Sequence, residues 1–486
     1  MTLDLAALRP AALRLPARAS VLAEESFLVG LVALWAVAFA AVGAHALVQD
    51  SWMTLVGGRD VAAGWLPHTE TLTAIPRGRG WVDQQWLAEL GFYGAWKAGG
   101  IRLVLGLQAL TLEAVLAVSV VAARRLGASR RGVAAATLLA FVLAPWALQL
   151  RAQTFALLLF TLVFSLLVLD SRAPSARVLL VLPLLAVWAN VHGSVVLGAG
   201  IVVLAAVVRV FGGRLSRAEA RRTLVLLAGA PLAVFASPYA LDLPHYYALM
   251  LLHPPFAAYV VEWQPTVLGP LTVAFFVVAA VLAVLAGRHR GRLTRFEGLA
   301  LLALFAASLT AERNIVWFAL AVLVSAPRLL SEVNDADTPI DARDRHVNLA
   351  VAGVALVAAL ALVAAGPIGG ARGPVRVGDA VAALAARDSS LRVLPNDRWA
   401  DWLLWSHPEL AGRVAYDVRF ELLTRREVGS LALLRSGLSG RLARGYRLFV
   451  VDRLRERTTR AWLLGGRHGR VVARDGTVEA ILLPRA

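Results

Sequence analysis

The sequence predicts an α-helical polytopic membrane protein of about eleven spans with a small extracytoplasmic α/β domain at its C-terminal end. Three observations predict it. Hydrophobic residues make up 59% of the 486, and mean hydropathy is +0.68, well above the soluble range. Apolar runs almost free of charge recur at 26–48, 103–122, 133–149, 154–169, 178–190, 194–210, 223–237, 268–287, 296–311, 315–330 and 347–366. Most approach the roughly 20 residues that cross a hydrocarbon core at about 1.5 Å each. From 371 to 486 the chain turns polar and alternates short helical and strand-like patterns, which reads as a small α/β domain.

A net charge of +17 would point to nucleic acid in a soluble protein, but its placement argues otherwise. The segments 1–25, 123–132, 171–177, 209–222, 288–295 and 328–346 together hold 21 arginines. The alternate short connections hold only Arg151 and Arg313, and 238–265 has no basic residue but histidine. That bias puts the N-terminus in the cytoplasm and both the loop 49–102 and the C-terminal domain outside, as in a bacterial plasma-membrane protein. Thirteen of the 14 tryptophans fall in or near the external segments, Trp35 excepted, so the working surface is expected outside. The absence of cysteine excludes disulfides and thiolate metal sites. No P-loop lysine or dinucleotide glycine pattern offers a seat for a nucleotide donor.

The elements follow in order. Residues 1–25 are a basic, Ala/Leu-rich lead suited to the inner membrane surface. The first apolar run is too long, and lacks the small-residue site, for a cleaved signal peptide. It delivers Gln49 and Asp50 outside, at the head of a loop too long for a simple connector. Within that loop, 51–64 predicts a short helix stopped near Gly64. "LPHTETLTAIPRGRG" is broken by Pro67 and Pro76 and reads as irregular. "WVDQQWLAELGFYGAWKAGG" places Trp86, Leu90, Tyr93 and Lys97 on one stripe of an amphipathic helix that ends at Gly99–Gly100. The segment 238–265 is aromatic and proline-interrupted, hence surface-lying, and 334–344 is an acidic inner linker. In the C-terminal domain, helical patterns at 378–387, 399–406, 424–435 and 454–464 alternate with "LRVLPN", "RVAYDV", "YRLFVVD", "RVVARD" and "VEAILLP". Its 21 arginines and 12 acids would favour anionic headgroups or envelope polymers.

Asp50 is the leading candidate for chemistry. A carboxylate near a bilayer boundary, beside Trp52, is partly desolvated and retains basicity, so it could take a proton from an acceptor hydroxyl. Equally, it could be a solvated N-cap of a helix beginning at Ser51. Arg151 and Arg313 suit a phosphate through bidentate hydrogen bonds, although snorkelling to lipid phosphate is as good an account of each. His192 sits between Asn190 and Gly193 at a helix break that either lines a cavity or merely bonds a neighbouring carbonyl. Glu89 and Glu262 could supply a second carboxylate, and Arg59 could orient either acid. Glu113 lies mid-span in "LTLEAVL" and could equally pair with another helix.

The stretch from Gln49 to Gly100 resembles the first external loop of bacterial polytopic proteins related to the GT-C glycosyltransferases. The shared elements are Asp50, Trp52, Gly58–Arg59, Pro67 with Glu70, Trp81 and the Trp86–Leu87–Ala88–Glu89 helix. Further resemblance lies in "RAQTF" (Arg151, Gln153), "WANVHGS" around His192, "SPYA", "VEWQP" (Glu262, Trp263), "ERN" (Arg313, Asn314), "NDRWADWLLW" and "VAYDVRF". The resemblance implies a polyprenyl-phosphate sugar donor and inverting transfer of a hexose or pentose on the outer face. The acceptor would be an envelope glycan, lipid or protein. Asp50 is then the catalytic base, and substrate contacts fall to Arg59, Glu70, Trp81, Glu89, Arg151, Gln153, His192, Glu262, Arg313 and Asn314. Two departures stand out: Gln49 precedes Asp50 where paired acids are usual, and Glu70 replaces the usual aspartate. A divalent metal could bridge Asp50 and a second acid; none is assigned. The competing expectations are a lipid or polysaccharide transporter and a non-catalytic envelope scaffold.

Overall fold

The computed structural model describes residues 23–333, 337–368, 373–437 and 442–485, and a helix forms in each of the eleven apolar runs. These are α1 (Ser26–Val42), α3 (Trp86–Arg125), α4 (Arg130–Leu143), α5 (Gln153–Arg172), α6 (Val181–Trp188), α7 (Val195–Val210), α8 (Arg217–Val234), α10 (Val273–Arg288), α11 (Arg295–Thr310), α12 (Ile315–Ser331) and α13 (Ala342–Ala365). Two further helices, α2 (Gln49–Ala62) and α9 (Leu243–Leu252), belong to the external loop and to the segment 238–265. The basic lead falls almost wholly outside the described residues.

Helix length bears on the spans. Among the described residues, Trp86–Arg125, Gln153–Arg172, Glu312–Ser331 and Ala342–Ala365 are the helices both long and apolar enough to cross a bilayer unbroken. The others are cut short by identifiable breaks. The chain leaves α4 at Leu143 for a 3₁₀ turn opening at Pro145, and another such turn over Ala176–Leu180 precedes α6. Four helices thus meet the length and composition of a full crossing by themselves, and Ser26–Val42, Ala176–Trp188, Val195–Val210 and Val273–Arg288 are apolar but shorter.

The predicted loop helices are present. α2 ends just before Gly64, whose φ of 87° no side chain would favour. The amphipathic stretch from Trp86 runs to Gly99–Gly100, where a kink turns it into the apolar part of α3. α12 is apolar all round and buried nearly throughout, the central helix against which α4, α5 and α11 pack. At the edge, Ala352 and Ala355 of α13 meet Ala33 of α1, small residues that let two backbones approach.

The C-terminal domain is a four-stranded sheet of β1 (Val393–Pro395), β2 (Leu448–Asp452), β3 (Arg470–Asp475) and β4 (Val478–Leu482) in the order β1-β2-β4-β3. β1 runs parallel to β2, and the other pairs are antiparallel. Helices Val375–Arg387, Asp397–Ser406 and Arg425–Arg435 accompany it. The predicted strand in "RVAYDV" does not form as such. Val414 instead makes single bridges, to Val393 on one side and to Thr73 of the external loop on the other. The Gly412 amide donates to the Leu72 carbonyl at 2.7 Å, and the Ile75 amide to Ala415 at 3.0 Å. Trp52, Leu55, Leu72 and Trp81 of the loop share one core with Val381, Val393, Trp402 and Leu403. The segment 238–265 closes the third side: Tyr239 donates to the Pro67 carbonyl at 2.8 Å, and Phe256 packs with Tyr416 and Val428. Three stretches far apart in sequence thus meet at one end of the bundle.

Candidate active site

Asp50 stands in the first turn of α2, which begins two residues earlier than the capping alternative required, so Asp50 is not the cap. The neighbouring Ser51 anchors that turn. Its hydroxyl donates to the Leu150 carbonyl at 2.6 Å and accepts from the Val48 amide at 3.0 Å. The Leu150 amide in turn donates to Ala46 at 2.8 Å. The strand of chain carrying Arg151 is therefore stitched to the strand carrying Asp50, and their side chains face each other.

Arg151 Nε lies 3.1 Å from Asp50 Oδ2, and its Nη1 donates to Glu262 Oε2 at 2.9 Å. Arg313 Nη1 lies 3.9 Å from Glu262 Oε1, and its guanidinium stacks 4.3 Å from the Trp263 ring centre. Acid and guanidinium alternate: Asp50, Arg151, Glu262, Arg313. Gln153 and Thr154 join Arg151, Glu262 and Arg313 around a narrow cavity of about 20 Å³, room for a single water.

Burial raises the Asp50 carboxyl above the usual aspartate range, and the Arg151 cation offsets only part of this. For Glu262, burial acts against charge as well, but Arg313 and Arg151 together outweigh it and hold the carboxyl below its ordinary value. Burial, with the two guanidiniums, pushes His192 down to about 3. The imidazole is therefore neutral. Its Nδ1 accepts from the Ser194 amide at 3.1 Å, which leaves the proton on Nε2. The Ser194 hydroxyl lies 2.8 Å from the same nitrogen and accepts from Trp188 Nε1 at 3.1 Å, fixing the ring.

Asp50, Arg151, Glu262, Arg313, Gln153 and His192 are thus brought together. The remaining five build the walls. Arg59 donates to the carbonyls of Trp405 and Leu404 at 3.2 and 3.3 Å, clamping the loop to the C-terminal domain. Glu70 accepts from the Thr73 hydroxyl at 2.9 Å and pairs with Arg419 at 2.6 Å. Arg419 also holds Asp417 and lies 4.1 Å above the ring of Trp81. Glu89 is buried against Gly57, where a methyl would sit 1.8 Å from its Oε2. Asn314 donates to the Ala307 carbonyl at 3.0 Å, closing the end of α11. Glu113 stays mid-helix in α3, its Oε2 without a partner among the described residues.

Sequence reasoning missed the contribution of the C-terminal domain. Asp401 and Glu421 are buried and both lie within electrostatic range of Asp50. Burial pushes Glu421 up to about 7, against the pull of Arg419. Asp83, Asp401, Asp417 and Arg419 were visible inside "WVDQQW", "NDRWADWLLW" and "VAYDVRF"; Glu421 carried no signal. Among the described residues no three His, Asp or Glu side chains converge as a metal site. Asp50 and Glu262 both pair with Arg151 in this arrangement.

No family model and no curated protein matches the chain. Solved structures do. The archaeal oligosaccharyltransferase AglB of Archaeoglobus fulgidus, in complex with an inhibitory peptide and a dolichol-phosphate, aligns at a TM-score of 0.52 and 12% identity, over 90% of this chain and 71% of that one. ArnT of Cupriavidus metallidurans in the apo state aligns at 0.50 and 15%, over 96% and 98%. The arabinofuranosyltransferase AftD from Mycobacteria is similar at 0.47 and 17%, over 93% of this chain and 40% of that one. At these identities the likeness is one of fold, and it is the GT-C-like fold of a multi-pass membrane protein.

Proposed function

We propose, on the premise of this GT-C-like fold, that the protein transfers a sugar from a polyprenyl-phosphate donor to a hydroxyl of an envelope glycan, lipid or protein at the outer face of the membrane. Asp50 takes the hydroxyl proton as the acceptor oxygen bonds to the anomeric carbon. The bond from that carbon to the phosphate oxygen breaks, and the lipid phosphate departs with the electron pair. Arg151 and Arg313 receive its added negative charge, and neutral His192 offers an Nε2–H donor beside them.

The observation that carries this reading is the Asp50–Arg151–Glu262–Arg313 chain. It sets a raised, recessed base beside two guanidiniums, at the end of the bundle where loop, segment and domain converge. In the resting state the carboxylates occupy the guanidiniums, so an arriving phosphate competes with them and frees Asp50 to act. The test is sugar release from synthetic polyprenyl-phosphate sugars by the purified protein with an envelope extract as acceptor. Asp50→Asn that binds polyprenyl phosphate normally yet transfers normally would sink it.

A further inference from the structure

The bundle holds a second concave site at the end opposite Asp50. α5 runs from Gln153 beside Arg151 to Arg172, 20 residues or about 30 Å away. There the ends of α5, α7, α8 and α11 surround a cavity of about 340 Å³, within the range of small-ligand sites (roughly 300 Å³ upward). It is far larger than the recess at Asp50.

Its floor is apolar, with Leu167, Leu226 and Phe296, and its polar walls are mostly satisfied internally. Arg209 pairs with Asp170 at 2.5 Å, and the hydroxyls of Ser171 and Thr294 lie 3.0 Å apart. Glu219, the other acid in the lining, is occupied in capping α8, accepting from the Ser216 amide at 3.0 Å and hydroxyl at 2.7 Å. Two lining guanidiniums remain. Neither Arg214 nor Arg295 has a carboxylate or hydrogen-bond partner among the described residues. The same holds for the backbone amides of Gly213, Arg214 and Leu215, in the turn that joins α7 to α8. Unpaired cations, free amides and a cavity between them make a receptacle for an anion.

We infer that this cavity binds a phosphate-bearing anion, held by Arg214 and Arg295 beside the Gly212–Leu215 turn. The flank favours a lipid as its source. Phe211, at the head of the turn, is 82% exposed, so an apolar ring adjoins it where acyl chains would lie. This site is separate from the sugar-transfer reading and stands or falls without it.

The experiment uses the full-length protein with phosphatidylglycerol or phosphatidylcholine, counting retained lipids by native mass spectrometry. Each arginine near an anionic surface contributes about 1 kcal/mol, or roughly five-fold. Arg214→Ala with Arg295→Ala should lower phosphatidylglycerol retention about 25-fold at an unchanged melting temperature, and leave phosphatidylcholine alone. Arg221→Ala, on the same helix α8 but outside the cavity, should change nothing. Displacement by excess inorganic phosphate, with the same dependence on the two arginines, would keep the site and assign it to a soluble phosphoanion. Undiminished retention in the double variant, or an equal loss in Arg221→Ala, overturns the inference.

Discussion

Arg151 is shared between Asp50 and Glu262, with Nε 3.1 Å from one carboxylate and Nη1 2.9 Å from the other. A guanidinium with five donors can hold two acids at once, and each acid it holds is an acid a phosphate must displace. In the proposed reaction, the base and the leaving-group grip would therefore be one electrostatic unit.

Asp50→Asn keeps the shape and removes the base. Turnover should fall by about 10²–10⁴-fold, the usual contribution of general base catalysis, with polyprenyl-phosphate binding little changed. Single-turnover transfer and lipid binding, measured on the same preparation, separate the two effects.

The pH profile follows from the raised Asp50 carboxyl. The base works deprotonated, so the rate should climb with pH through a midpoint above the ordinary aspartate value of about 4. Arg151→Gln removes the cation that lowers that midpoint and should move it further up. His192, held at about 3, is neutral throughout the range from about pH 5 to 8 and should add no limb there. A midpoint near 4 in both proteins would place the base elsewhere.

Glu262 and Arg313 should act in opposite directions on the donor. Arg313→Gln loses a charge-assisted contact of about 1.5–3 kcal/mol, raising the donor KM about 10- to 100-fold. Glu262→Gln removes the competitor for both guanidiniums and should tighten binding of inorganic phosphate. Calorimetric titration of the two variants reads both signs.

Arg419 neutralises Glu70 and Asp417 in the core shared by the loop and the C-terminal domain. Arg419→Ala strands two buried carboxylates and should cost about 3–5 kcal/mol. Arg419→Lys should recover only part of this, because one ammonium cannot serve both acids and stack flat on Trp81. Thermal unfolding in detergent reports it, and Arg413→Ala, away from this pair, should be milder.

Gly58 lets α2 touch α3. A Cβ there would lie 2.2 Å from the Glu89 carbonyl oxygen and 2.6 Å from Tyr93 Cβ. Gly58→Ala must push two helices apart, at about 1–3 kcal/mol or more. Loss of transfer with an intact C-terminal domain, judged by limited proteolysis, is the expected result.

What could be read from the sequence was what stands alone in it. Asp50, Arg151 and Arg313 are isolated charges at the ends of apolar runs, and isolation in an apolar context is a local property. His192 was marked by the glycine and asparagine around it. Glu421 was invisible because its raised carboxyl comes from burial, which segments distant in the chain create. Glu70 and Arg419 each stood in a motif of the resemblance, but nothing in the sequence said that the fold would pair them. "RVAYDV" has the alternation of a strand, but alternation does not say that one neighbour will be a loop from the other end of the molecule. The helix lengths were illegible for a related reason: hydropathy measures how far apolar composition extends, whereas Pro145 and the Ala176–Leu180 turn decide where a helix stops.

The bridge from Thr73 through Val414 to Val393 has a consequence for the order of manufacture. A ribosome adds about 5–20 residues per second, so the loop waits on the order of tens of seconds for its missing edge to emerge. Until then Leu72 and Ile75 lack their backbone partners. A nascent chain, although most of its helices have already been made, would keep this loop half-built until its final stretch had emerged and seated.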